Sequence, residues 1–145
     1  MIELPPLSRD QRKVDSDHLN LLYIFHFVGA GLAILGILFL IAHYTMMHAF
    51  MDNPKVWEHQ KQSPSPAQFF AIFKWLYLVF ACWFVASGAL NLISGLCIRA
   101  RKYRTFSIVV AGINCLHLPL GTVLGVFTII VLLRNSVREL YEASS

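Results

Sequence analysis

The chain has 145 residues, 57% of them hydrophobic and 14% charged, with a net charge of +4. Soluble domains average about 45–50% apolar and 25% charged residues, so this balance excludes an ordinary water-soluble globule. The cations sit beside long apolar blocks, as membrane orientation requires, which sets nucleic-acid binding aside. The length fits a single domain. Cys82, Cys97 and Cys115 fall within or at the ends of apolar blocks and read as small apolar fillers, not a disulfide framework.

Residues 1–17 carry Pro5, Pro6 and alternating charges (Arg9, Asp10, Arg12, Lys13, Asp15, Asp17) and read as a polar lead. Asp15, Ser16 or Asp17 is expected to cap the helix that follows. Mixed charge and an overlong apolar block argue against a cleaved signal peptide, so the first span is expected to be retained. That span covers about 19–43 and is apolar apart from residues such as Asn20, Tyr23 and His26. About 24 residues rising 1.5 Å each give about 36 Å, enough for a hydrocarbon core of about 30 Å. Gly29, Ala33 and Gly36 offer small surfaces for close helix approach.

Residues 43–52 are expected to continue the helix past the interface. Asn53 should then cap a short turn beginning at Pro54 and ending at Trp57. Ser63, Pro64, Ser65 and Pro66 signal a loop; Ser65 with Gln68 makes a capping box, and Pro66 suits a first helical position. The second span is expected over about 70–98, with Phe69, Phe70, Phe73, Trp75 and Tyr77 supplying an aromatic belt. Arg99, Arg101, Lys102 and Arg104 form the densest cationic cluster and act as the topology anchor. By the positive-inside rule this loop, with Arg9, Arg12 and Lys13, faces the cytoplasm, and residues 48–68 face outwards.

Topology then turns on His117, Leu118, Pro119, Leu120 and Gly121, which interrupt an apolar run over 105–133. One straight helix would strand Arg134 and Arg138 outside. A reversal at Pro119 returns them to the cytoplasmic side and gives two shorter spans, about 102–118 and 119–138. The expected fold is therefore an all-α, integral membrane four-helix bundle with both termini cytoplasmic and a tight hairpin at Pro119.

The segment from Pro119 through Gly121, Thr122, Gly125 and Thr128, then Val131 to Leu133, a polar break and Val137, resembles the closing helix of a group of small bacterial membrane proteins. Those proteins similarly have a basic loop, a short third span and a Pro-x-Gly-Thr-x-x-Gly start to the fourth. The resemblance covers roughly the last forty residues. It implies a four-helix fold in a bacterial inner membrane and no particular activity.

Polar groups inside spans are where function is sought. His26, Asn91 and Thr128 define a layer about 10 Å below the cytoplasmic surface, Ser87, Asn91, Ser94 and Gly95 share one inward face of the second helix, and Asn114 and His117 lie deeper and towards the outer side. One reading is an ion or proton path, with Ser87, Asn91 and Ser94 lining an oligomeric channel. The plainer one is interhelical hydrogen bonding that fixes register, at about 0.6 kcal/mol per bond. His26 and His117 invite a bis-histidine haem, which their different depths disfavour. His43, Met47 and Met51 recur at four-residue spacing near Met46, His48, Asp52 and His59, a donor set suited to copper(I). No catalytic constellation is visible. Gly121 and Gly125 form a GxxxG pair, either a dimerisation face or an internal packing face. The leading functional expectation is a non-enzymatic accessory or self-associating subunit in the lipid bilayer. A small channel or leak protein is the alternative, and an extracytoplasmic copper or haem binder is the third.

Overall fold

The computed structural model of the protein describes residues 9–57, 66–117 and 119–143. They form helices α1 (Arg9–Met51), α2 (Pro54–Trp57), α3 (Pro66–Arg99), α4 (Arg104–Asn114), α5 (Leu120–Leu132) and α6 (Asn135–Glu142). Two of them, α1 over Asp10–Met51 and α3 over Ala71–Arg99, are long and apolar enough to cross a membrane. Their outward faces carry Phe39, Ile72 and Trp75 at 69%, 71% and 71% exposure. Water penalises such surface by about 25 cal/mol per Å², whereas lipid does not.

Helix α1 is already formed at Arg9, well before the cap expected at 15–17. Asp15 therefore lies inside the helix. It heads a buried stripe of Asp15, Leu19, Leu22, His26, Ala30 and Ala33, spaced by three and four residues as one helical face requires. At the far end α1 runs on to Met51, and the Asn53 side chain accepts the Lys55 amide at 3.2 Å, capping α2. Pro66 is the first residue of α3. Ser65 of the expected capping box, the rest of its loop and His59 lie outside the described residues, as do the side chains of Gln68, Phe69 and Phe70.

The chain forms two compact units, one of Met1–Ala30 with Ala89–Ser145, the other of Gly31–Gly88. In the second, α1 and α3 run antiparallel: Gly36 lies against the Phe84 ring, and His43 meets Tyr77. In the first, parts of α1 and α3 pack with α4, α5 and α6 around Leu22, Ile98, Leu132, Val137 and Tyr141.

The backbone reverses between α4 and α5. Gly125 lies against the Ala111 carbonyl and Cys115, and Gly121 against the Asn114 carbonyl and His117. At the other end the Arg104 Nε donates to the Leu132 carbonyl at 2.6 Å, so the helices are antiparallel along their length. The Thr122 hydroxyl donates to the Cys115 carbonyl at 2.8 Å and closes the turn.

The two arms are shorter than the sequence suggests. Arg101 and Tyr103 adopt left-handed backbone, φ 51° and 52°, so α4 starts only at Arg104, and it ends at Asn114 instead of 118. Helix α5 ends at Leu132, and α6 bends away by 72° instead of continuing to 138. Arms of 11 and 13 residues reach about 16 and 20 Å, short of a hydrocarbon core of about 30 Å. Among the described residues two helices, or three candidate spans if α5 and α6 count as one bent span, meet the length and composition needed to cross; the expected four do not. The break after α5 has a local cause. Arg104 takes the Leu132 carbonyl, and Arg134 turns to extended backbone (φ −64°, ψ 138°), with its Nη1 3.4 Å from an Asp15 carboxylate oxygen.

A side chain at position 125 has no space, whereas Gly112 faces open space. Gly125→Leu should lower the thermal midpoint of detergent-solubilised protein by an amount equivalent to about 1–3 kcal/mol. Gly112→Ala should leave it equal or raise it by up to about 1 kcal/mol, since alanine loses less backbone entropy in a helix.

Candidate functional site

In the first unit, side chains of otherwise apolar helices bury a set of polar groups: His26, Asn91, Ser94, Ser107, Asn114 and Thr128. Asn91 and Asn114 exchange amide hydrogen bonds, Asn91 Nδ2 donating at 3.1 Å and Asn114 Nδ2 at 2.8 Å. Asn91 also lies against Gly29. Asn114, expected deeper than Asn91, meets it side by side. Thr128 donates to the Leu124 carbonyl at 2.7 Å within its own helix.

His26 sits beside Gly95, with its Nδ1 2.9 Å from the Leu22 carbonyl. A carbonyl only accepts, so Nδ1 carries the proton and Nε2 is a bare acceptor. Nε2 has no hydrogen-bond partner, and neither do the Ser94 and Ser107 hydroxyls. His117 is half-buried against Gly121, with Nδ1 3.3 Å from the Ile113 carbonyl. It belongs to the hairpin turn, at a different level from His26, so the two rings do not oppose each other as axial ligands would. Ser87 is half-buried in the other unit.

In that second unit the two histidines of the proposed copper set, His43 and His48, have other partners. His43 Nδ1 is 2.6 Å from the Tyr77 hydroxyl, and Tyr77 packs edge-on to Tyr44 with ring centres 5.2 Å apart. His48 Nδ1 lies 2.8 Å from Asp52. Met47 and Met51 are half-buried on the same helix. Among the described residues no group of three or more His, Cys, Asp or Glu side chains is placed to hold a metal ion.

At the basic end of the first unit, Arg101 donates from Nη2 to the Ser16 hydroxyl at 3.1 Å, while Arg99 and Lys102 are exposed. The fully buried Asp15 carboxylate is approached by Arg134 and by Gln11 at 3.4 Å, and Arg134 Nη1 is 3.2 Å from His18 Nδ1. Sequence reasoning did not find Asp15 and Arg134 as partners, nor Ser107 as a buried group. Their phase was the available signal: Asp15 continues the Leu19, Leu22, His26 stripe, and Ser107 that of Val110, Ala111 and Asn114. Burial foremost, then the charge of a Cys97 thiolate, pushes the Tyr141 hydroxyl up to about 12 against the pull of Arg104 and Arg101. It is a neutral phenol throughout the physiological range.

Comparison with protein families, curated proteins and solved structures finds no match for this chain.

A double-mutant cycle on Asn91→Ala and Asn114→Ala should give a coupling of about 0.6–1.7 kcal/mol in micelle unfolding, and strictly additive effects would show that the amides do not support each other. Arg134→Ala leaves a buried carboxylate without its cation. Because Arg134 is partly exposed, the expected loss is about 1–3 kcal/mol, read as a lower unfolding midpoint and partly restored in Arg134→Lys.

Proposed function

We propose that the protein is a non-enzymatic subunit of a bacterial inner membrane that self-associates or packs against a larger membrane complex. The observation that carries this reading is the Asn91–Asn114 pair. The two amides satisfy each other instead of facing a substrate, which is how membrane helices fix register. The exposed apolar length of α1 and α3 supports it, as does the resemblance of the closing segment to small bacterial membrane proteins. In this reading both termini are cytoplasmic, and the α4–α5 hairpin enters and leaves the bilayer from that side. The contact between Arg134 and Asp15 is consistent with that arrangement.

A second reading, a small channel or leak protein, draws on the unpartnered His26 Nε2 and the Ser94 and Ser107 hydroxyls. Buried polar atoms of complementary kind attract water. Its weakness is that Asn91 and Ser94, two of the three proposed lining residues beside half-buried Ser87, are buried within the protomer.

Purification in mild detergent should yield either an oligomer or a defined copurifying membrane protein. A solitary monomer, confirmed by mass, would overturn the subunit reading. Proton or potassium flux in liposomes above that of empty vesicles would favour the channel instead. A reporter fused after Ser145 should report from the cytoplasm and one inserted at 58–65 from the exterior; a C-terminal reporter facing outwards would refute the proposed topology.

A further inference from the structure

The chain after α3, the start of α4 and one face of α6 border an open cleft of about 520 Å³. Four cations line it, Arg101, Lys102, Arg104 and Arg138, against a single carboxylate, Glu142, so four positive charges less one negative leave +3. Even that carboxylate is committed, accepting from Arg138 Nε at 2.9 Å. We propose that this cleft binds the phosphate headgroup of an anionic phospholipid. The inference rests on the membrane reading above, and on no protein partner.

Like charges held around one space repel, and an anion between them removes the penalty. Two of the guanidinium groups are positioned from outside the cleft. Arg104 is fixed by Nε on the Leu132 carbonyl at 2.6 Å, and Arg101 by Nη2 on Ser16 at 3.1 Å. Each retains further N–H donors in the planar arrangement that suits phosphate oxygens. The loop that presents them is held in left-handed backbone at Arg101 and Tyr103, at a cost of about 1–2 kcal/mol per residue. Strain of this kind concentrates at ligand-binding sites. Tyr141 lines the same space as a neutral phenol, and Tyr103 is 76% exposed, an amphipathic ring suited to the headgroup zone.

Position selects a lipid over a soluble phosphate. The candidate span on α3 ends at Arg99, two residues before Arg101, which sets the cleft at the phosphate level of a bilayer. Leu133, next to the carbonyl that holds Arg104, is 57% exposed, and Leu96 near the end of α3 is 51% exposed, so acyl chains have apolar surface to follow. Basic pockets beside membrane helices bind anionic headgroups with about 1 kcal/mol from each Lys or Arg near the surface.

Native mass spectrometry of the full-length protein, with equal phosphatidylglycerol and phosphatidylcholine in the micelles, tests this. The expected result is preferential retention of phosphatidylglycerol. The preference should fall about tenfold in Lys102→Gln/Arg138→Gln and be unchanged in Lys74→Gln, which lies in the other unit. Equal retention of both lipids, or a preference that survives the double variant, would overturn the proposal. So would displacement of the lipid by millimolar inorganic phosphate, which would assign the cleft to a soluble anion. If the double variant fails to elute as a single species, Lys102→Gln alone, at an exposed side chain, should still weaken retention several-fold, and no change there would refute the site. Carbonate extraction of native membranes separates the two levels. Release of the protein would refute the membrane reading itself, whereas a retained protein without lipid preference would refute only the headgroup site.

Discussion

The backbone of α5 lies directly on the backbone of α4 at Gly121 and Gly125, and the rest of the first unit follows from that approach. Any side chain at either position would drive the helices apart. With them together, Asn114 meets Asn91, Leu132 brings its carbonyl to Arg104, and the chain leaves α5 beside Asp15. In lipid there is little hydrophobic gain from joining two apolar helices, so close packing and hydrogen bonds must hold them. The GxxxG pair is therefore used within the protomer.

The polar groups of this unit separate into two kinds. Asn91 and Asn114 bond each other and Arg104 bonds the Leu132 carbonyl, all between helices and so defining their register, while Thr128 bonds the Leu124 carbonyl of its own helix. His26, Ser94 and Ser107 bury atoms that have no such partner, each of which costs about 1–3 kcal/mol unless something satisfies it. The first kind explains why the helices meet where they do. The second marks where water would be most favourably accommodated.

How much of this was legible depended on the range of the signal. The two long helices were readable because about twenty uninterrupted apolar residues allow few other structures. The reversal at Pro119 was readable because a proline interrupts the run and Arg134 and Arg138 follow it. The lengths of the arms were not, since hydrophobicity continues smoothly from 105 to 133 while the ends of α4 and α5 are set by left-handed backbone at Arg101 and Tyr103 and by the contacts of Leu132 and Arg134. Asp15 had the appearance of a cap because an acid before an apolar block usually is one, yet its phase with Leu19 and Leu22 placed it on the buried face. His43 drew attention as a ligand because its neighbours in sequence are methionines, whereas its contact is Tyr77, 34 residues away.

The ion pair between Asp15 and Arg134 joins positions 119 residues apart in the chain. At about 5–20 residues per second of synthesis, the aspartate is joined to the chain about 6–24 s before its arginine. Through that interval the Asp15 carboxylate has no counter-charge and must stay hydrated, although the folded protein buries it completely. Burial of Asp15 with its cation thus waits on the residues that follow α5, however early α1 itself is formed.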